Sequence, residues 1–393
     1  MRLLYILGNI INRAGVERIM TQKINYLAET GYDVSLVTTD QMNQPFSFPI
    51  SPKVNYIAVN APIPSRTDYP FFRWILLFYK SRSVFSKTLS RVIKGNHPDI
   101  IICTTYSFDV LDLLVKTCHN NHTKLIIESH VHRTNVFMEP RLAYNLLLSK
   151  YGRIHDQHIL NYVKKAAMLV CLTHEDMQSW KRLLVNNVCI IPNMITINPP
   201  KMIDYSSKRV IAVGRYSHQK GFDMLIKAWG KLSKKHTDWH LFIYGNEDRT
   251  TYEEMAKNEK CQETCHCMPV TEDIASEYGK SSIFVMSSRY EGMPLVLIEA
   301  MSSGLACVSF NCPNGPSDII NDGIDGVLAK NGDIDDLAAK LDLLMSDESL
   351  RNKMGITARK NIERYSPNAV MQQNISLYNS ILNNRVKYDS RSR

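Results

Sequence analysis

No stretch of this sequence reaches the ~18 consecutive apolar residues that a membrane-spanning helix needs. The richest run, Pro70 to Tyr79, is short and carries Arg73. Cysteine is sparse: nine in 393 residues, odd in number and scattered from Cys103 to Cys312. That excludes a disulfide scaffold and reads as a reduced, cytosolic chain. Charged residues are 22% and hydrophobic residues 44%, which excludes disorder, collagen-like repeats and coiled coil. The N-terminus, Met1-Arg2-Leu3-Leu4-Tyr5-Ile6-Leu7-Gly8, looks faintly like a signal peptide. Its apolar run stops at Asn9, and no small-residue cleavage site follows. A first β-strand is expected there instead.

What is present is enough chain for two cores, at ~100–200 residues per domain. Formal net charge is +9, and all of it lies in the first half. Residues 1–200 hold 22 Lys and Arg against 13 Asp and Glu, whereas residues 201–393 hold 25 of each. The segment 51–100 alone has 8 against 2. Within it, residues 70–94 mix Phe71, Phe72, Trp74, Phe78 and Tyr79 with Arg73, Lys80, Arg82, Lys87, Arg91 and Lys94. A basic, aromatic helix of this kind suits an anionic membrane surface. No nucleic-acid recognition module is evident, so no nucleic-acid partner is expected.

The chain alternates short apolar runs with longer helical patterns. Strands are expected at Leu3–Leu7, Asp33–Thr38, Val54–Val59, Ile100–Cys103, Lys124–Glu128 and Met168–Leu172. Helices are expected at Val16–Thr30, Phe72–Lys94, Phe108–Asn120 and Leu142–Lys164. The proline-bearing stretch from Ile191 to Pro200 breaks the rhythm and reads as a linker. The alternation restarts with strands Arg209–Val213, His240–Tyr244, Ile283–Met286 and Ala306–Ser309, and helices Phe222–Lys235, Pro294–Ser303 and Ile334–Met345. This is an α/β pattern of two Rossmann-like, doubly wound parallel sheets. The expected boundaries are 1–195 and 196–366, with a tail helix and frayed end over 367–393 that returns to the first domain. Ligands of open α/β sheets bind beyond the carboxyl ends of the strands, so a cleft between the domains is the place to search.

Two such strand ends carry chemistry. After strand 209–213 comes Gly214-Arg215-Tyr216-Ser217-His218-Gln219-Lys220-Gly221. Two cations before a helix N-terminus make an anion site, with Arg215 as a planar fork and Lys220 as a point charge. After strand 283–286 comes Ser288-Arg289-Tyr290-Glu291-Gly292-Met293-Pro294-Leu295, running on to Glu299. Pro294 suits the first helical position, and the free N–H groups of the turn can hold phosphate or sugar oxygens. Glu291 then lies in the loop and Glu299 over a turn inside the helix. Each carboxylate can accept hydrogen bonds from vicinal hydroxyls.

Together these motifs resemble the retaining glycosyltransferases of family 4, which have the GT-B fold. The marks are Gly214-Arg215…Lys220-Gly221, Glu291 and Glu299 within Glu-Gly-Met-Pro-Leu-Val-Leu-Ile-Glu-Ala-Met, and Ser303-Gly304-Leu305. Cys312-Pro313-Asn314-Gly315-Pro316-Ser317-Asp318-Ile319-Ile320 resembles the branch that builds bacterial surface polysaccharides. The resemblance implies that Arg215 and Lys220 grip the donor diphosphate. It implies that Glu291 touches the transferred sugar, Glu299 the ribose, and the backbone of Gly292, Met293, Pro294 and Leu295 the donor hydroxyls and phosphate. It also implies retention of configuration and no required metal or cofactor. In the first half, Ala14-Gly15 stands where the family has two glycines, so Gly15 is expected to carry the unusual backbone freedom. In Glu128-Ser129-His130-Val131-His132, His130 is expected to contact the sugar, with His132 as fallback. Tyr244-Gly245-Asn246-Glu247 lacks the second glycine of the family's Gly-x-Gly, which points to a different turn.

Two further patterns are set aside. Asp333-Ile334-Asp335 reads as helix-start chemistry rather than a metal motif. The spacing of Cys261, Cys265, His266 and Cys267 fits no standard zinc finger. The expected activity is transfer of a hexose or hexosamine from a nucleotide diphosphate sugar, UDP preferred, to a lipid-linked saccharide acceptor. It would take place at the cytoplasmic face of the inner membrane, in surface polysaccharide biosynthesis. The alternatives are a UDP-sugar 2-epimerase of the same fold and a non-catalytic, membrane-associated nucleotide-sugar binder.

Overall fold

The computed structural model describes residues 1–12, 14–64, 69–130 and 146–383. Two compact units emerge. The first comprises Met1–Leu172, Asp176–Ile191 and the chain from Met371 onward; the second comprises Thr173–Glu175 and Pro192–Val370.

The first unit holds a seven-stranded parallel sheet. Its strands are β1 (Arg2–Leu7), β2 (Asp33–Thr38), β3 (Asn55–Ala58), β4 (Ile100–Thr104), β5 (Lys124–Ser129), β6 (Met168–Cys171) and β7 (Val188–Ile190). Their spatial order is β3-β2-β1-β4-β5-β6-β7. β4 and β6 are buried along their whole length, and β1 and β5 at all but the first residue. Strands buried on both faces need continuous apolar runs, which is what Ile100–Cys103 and Leu125–Ile127 supply. The covering helices are α1 (Gly15–Glu29), α2 (Phe71–Asn96), α3 (Leu111–Asn120), α4 (Leu146–Val163) and α5 (His174–Lys181), the last beginning on residues of the second unit. α1 buries Ile19, Met20, Ile24, Leu27 and Ala28 at helical spacing, and Lys23 on the same face.

The second unit repeats the plan with β8 (Arg209–Val213), β9 (His240–Tyr244), β10 (Cys265–Met268), β11 (Ile283–Met286), β12 (Ala306–Phe310) and β13 (Val327–Ala329). All are parallel, in the order β10-β9-β8-β11-β12-β13. Its helices are α6 (Phe222–Leu232), α7 (Thr250–Asn258), α8 (Ile274–Gly279), α9 (Leu295–Ser303), α10 (Pro316–Ile319), α11 (Ile334–Ser346) and α12 (Glu348–Asn361). A final helix, α13 (Pro367–Leu382), starts in the second unit and ends in the first. In both sheets the strand order reverses direction beside the first strand, between β1 and β4 and between β8 and β11. Such switch points leave a crevice at the carboxyl ends of the flanking strands.

Several expectations shift. The segment expected as a helix from Phe108 is a 3₁₀ turn over Thr105–Val110 before α3 begins. α6 ends at Leu232 rather than Lys235. β7, β13, α5, α7, α8, α10 and α12 add to the expected elements. The start of the helix expected from Leu142, the fallback His132 and the frayed end lie outside the described residues. Asp333 is the N-cap of α11, its side chain accepting from the Asp336 N–H at 3.1 Å, which is the helix-start role expected of it. Among the described residues, no helix is long and apolar enough to cross a membrane.

Candidate functional site

The loop after β8 is built around two glycines. Gly221 sits at φ +64°, the left-handed region. A Cβ there would lie 2.1 Å from the Ser287 carbonyl oxygen and 2.7 Å from Met224 Cε. Only glycine fits both the dihedral and the space. Gly214 lets the Lys220 stem fold back over it; a Cβ at Gly214 would meet Lys220 Cγ and Cδ at 3.0 Å. Lys220 Nζ donates to Glu291 Oε1 at 2.7 Å, and both side chains are largely buried. The two switch-point loops thus meet through their charges, across 71 residues of sequence.

Neutral and charged hydrogen bonds hold the loops in register. Arg289 N–H donates to the Gln219 carbonyl at 2.8 Å, Gln219 Nε2 to the Tyr290 carbonyl at 3.1 Å, and Ser287 Oγ to the Lys220 carbonyl at 2.9 Å. Arg289 forks onto Asp223 at 2.8 and 2.7 Å and also donates to the His218 carbonyl at 2.7 Å. Burial pushes the Asp223 carboxyl up, but the Arg289 fork outweighs it and the net shift is downward. Arg215 stays more than half exposed, donating weakly to Gln219 Oε1 at 3.4 Å with Glu247 Oε1 at 3.8 Å. Glu247 itself adopts φ +75°. The missing glycine therefore leaves a left-handed residue that bears a Cβ, and its carboxylate faces Arg215. Gly245 is irreplaceable for a separate reason: its Cβ would fall 2.1 Å from the Gly214 carbonyl oxygen.

After β11, the Glu291 N–H donates to the Pro313 carbonyl at 3.1 Å. Gly315, at φ +121°, lies under Pro294, whose Cδ would be 2.6 Å from an added Cβ. α9 begins at Leu295 with no side-chain cap; the Leu297 N–H donates to the Pro294 carbonyl at 3.2 Å, which leaves the N–H groups of Leu295 and Val296 as those that can meet an anion. Glu299, buried one turn in, accepts from the Thr196 hydroxyl at Oε1 and from Tyr278 OH at Oε2, 3.5 Å away.

At the first unit's sheet, Glu128 near the end of β5 and His130 just past it meet side by side. His130 Nε2 lies 3.0 Å from Glu128 Oε2, and Lys23 Nζ of α1 lies 2.8 Å from the same oxygen. All three side chains are at most 1% exposed. Glu17, in the first turn of α1, has a carboxyl raised by burial, against which its own backbone hydrogen bond and nearby His130 pull down. On α2, Phe72, Leu76 and Tyr79 are 85%, 70% and 66% exposed at helical spacing, and Arg73, Lys80, Lys87, Arg91 and Lys94 are also exposed. The helix is pinned at its middle by Arg82, whose Nη2 donates to both carboxylate oxygens of Asp112 of α3, at 2.8 and 2.7 Å.

The Glycosyltransferase Family 4 model matches residues 13–198, and the Glycosyl transferases group 1 model matches residues 196–361. Together they cover residues 13–361. This chain is a family 4 glycosyltransferase. The Erwinia amylovora amylovoran biosynthesis glycosyltransferase AmsD is 26% identical to it over 97% of this chain and 99% of its own length. A Campylobacter jejuni enzyme is 23% identical over 81% of this chain and 85% of its own. Its name is GalNAc-alpha-(1->4)-GalNAc-alpha-(1->3)-diNAcBac-PP-undecaprenol alpha-1,4-N-acetyl-D-galactosaminyltransferase. Among solved structures, a point mutant of S. aureus TarM in complex with Fondaparinux, alpha-GlcNAc-glycerol and UDP has a TM-score of 0.77. It is 18% identical over 97% of this chain and all of that one. The fold of the glycosyltransferase is GT-B.

The structure brings Lys220 and Glu291 into contact and puts Arg215, Gly292, Met293, Pro294 and Leu295 on the same two loops. Pro294 is the N-cap of α9 rather than its first residue; its ψ of 101° keeps it extended. Gly15 is the first residue of α1 and is helical. It thus takes an ordinary right-handed conformation and does not carry the unusual backbone freedom expected of it. His130 is at the expected strand end, but its ring turns inward to Glu128. The Arg289–Asp223 pair, which ties the two loops of the glycosyltransferase together, escaped the sequence reading. Its signal was a second arginine two residues before Glu291, and sequence cannot tell an internal cation from a ligand-facing one.

Proposed function

We propose that this glycosyltransferase moves a hexose or hexosamine from a nucleotide diphosphate sugar, UDP in preference, to a lipid-linked saccharide with retention of configuration. The observation that carries the reading is the Lys220–Glu291 contact beside the uncapped start of α9. As the glycosidic bond loosens, negative charge grows on the diphosphate. Lys220, Arg215 and the first N–H groups of α9 are the donors that would stabilise it. Glu291 would accept from sugar hydroxyls, and Glu299 from the ribose once its present partners yield. The 1–195 half would take the acceptor and the 196–366 half the donor. The names of AmsD and of the Campylobacter enzyme favour a role in surface polysaccharide assembly, the latter on an undecaprenyl diphosphate acceptor.

A thermal-shift panel of UDP, GDP and ADP, with and without EDTA, tests the donor side. A ligand at ~100 times its Kd adds about 2.7 kcal/mol of stability. A shift selective for UDP and indifferent to EDTA is expected. No shift with any nucleotide would sink the donor assignment.

The exposed Phe72, Leu76 and Tyr79 stripe and its flanking cations support docking of α2 on an anionic bilayer, at the cytoplasmic face of the inner membrane. Each basic residue near the headgroups contributes about 1 kcal/mol. Sedimentation of the whole chain with vesicles containing anionic lipid should greatly exceed that with neutral vesicles. Equal sedimentation would overturn this placement.

A further inference from the structure

A lysine, a glutamate and a histidine, all buried, share one oxygen in the first unit. Glu128 Oε2 receives Lys23 Nζ at 2.8 Å and faces His130 Nε2 at 3.0 Å, while Oε1 is buried without a hydrogen-bond partner. The arrangement follows from strand geometry. Glu128 lies near the end of β5 and His130 one residue past it, at the two-residue spacing that puts extended side chains on one face. Lys23 lies on the buried face of α1, among Met20, Ile24 and Leu27. Tyr5 OH and Tyr378 OH, 3.1 Å apart, both feel the charge of the carboxylate, and Glu17 feels His130.

Ionic groups this deep are costly to desolvate, and replacing them with apolar residues often leaves stability unchanged or higher. A stability role alone therefore gives a weak reason for the triad. Its geometry has a sharper consequence. Burial raises the Glu128 carboxyl, but the Lys23 ammonium and the hydrogen bond with His130 more than reverse this, lowering it to about 2. An ionised carboxylate can only accept, so the hydrogen between Glu128 and His130 resides on Nε2. In the neutral ring Nδ1 is then the bare acceptor.

We infer that Lys23 and Glu128 are positioning residues: they fix His130 in the Nε2–H tautomer and one ring orientation, so that Nδ1 is its acceptor for a donor-sugar hydroxyl. This rests on the reading of His130 as a sugar contact. Lys23 supplies the charge that keeps Glu128 ionised, and Glu128 alone touches the ring.

The test uses full-length protein and the charge-balanced pair Lys23→Met/Glu128→Leu, because Glu128→Leu alone would strand a buried ammonium and fail to fold. Nitrogen-15 NMR of the histidine rings, with the His130 signal assigned by its loss in His130→Asn, reads the tautomer at neutral pH. Wild type should show Nε2 protonated and Nδ1 bare. The double variant should fold, show mixed tautomers, and lower kcat by about 10²-fold with donor KM nearly unchanged, the scale of misplacing a contacting group by an ångström. Turnover is followed as UDP release from UDP-glucose and UDP-N-acetylglucosamine. A wild-type ring protonated at Nδ1, or at both nitrogens, overturns the proposal. So does a folded double variant that keeps both the tautomer and kcat. If His130→Asn leaves turnover intact, the sugar-contact reading fails, whereas the tautomer lock stands or falls on the NMR alone.

Discussion

Lys220→Ala is expected to weaken UDP binding by about tenfold to a hundredfold, the equivalent of 1.5–3 kcal/mol for a charged hydrogen bond. Turnover should fall further, by about 10²–10³-fold, because the ammonium meets the diphosphate most strongly once charge has grown on it. The substitution has a second effect. Glu291, only 7% exposed, loses the cation 2.7 Å away. Breaking a buried pair from one side is more damaging than removing both members. The melting temperature should therefore drop in Lys220→Ala and recover in Lys220→Ala/Glu291→Gln, while UDP affinity recovers in neither. Calorimetric titration of UDP and a melting curve on the three proteins decide the matter. An unchanged Kd in Lys220→Ala would remove Lys220 from the donor site and leave the pair a purely structural tie.

Gly221→Ala should be the most damaging single methyl in the second unit's site. Two glycines of that unit share nearly the same dihedral but not the same space. Gly332 has φ +76° and nothing within 4 Å of an added Cβ, whereas Gly221, at +64°, would drive its Cβ into the Ser287 carbonyl. Gly332→Ala thus reports the left-handed penalty alone, about 1–2 kcal/mol. Gly221→Ala adds the collision, and relief requires the β8 and β11 loops to separate. That would pull Lys220 from Glu291 and break the bond from Ser287 Oγ to the Lys220 carbonyl. A melting temperature lower than that of Gly332→Ala by several degrees, with UDP binding lost, is expected. Equal melting of the two variants would show that the loops yield freely and that their register is not fixed at Gly221.

Much of the fold is legible in the sequence for one physical reason. Central strands of a parallel sheet are buried on both faces, so Leu3–Leu7, Ile100–Cys103, Val210–Val213 and Ile283–Met286 stand out as unbroken apolar runs. β7 and β13 have three residues each and leave no such run. α12 is hidden differently. Its core face carries Arg351, which is buried because its guanidinium donates to the carbonyls of Leu344, Met345 and Tyr205. A charged residue in that place breaks the expected stripe. In the site, the loop residues were legible because glycines and cations after a strand have few other uses. Their pairing was not. That Lys220 meets Glu291, that Arg289 turns inward to Asp223 while Arg215 turns outward, and that Glu247 takes a glycine's dihedral are all set by contacts between distant segments. The inward turn of His130 was within reach, since residues two apart on a strand share a face and Glu128 is the nearest charge.

The division of the chain also bears on its synthesis. Apart from Thr173–Glu175 the second unit runs from Pro192 to Val370, but the first includes residues from Met371 onward. Tyr378, fully buried against Tyr5, lies 373 residues after it and is synthesised only after the second unit's Pro192–Val370. The unit that is translated first is therefore completed last. Until α13 emerges, Tyr5 lacks the hydroxyl of Tyr378 that faces it in the folded unit. Domains generally fold in order of translation. Here the order of completion runs the other way, which makes the last turns of α13 the step that closes the molecule.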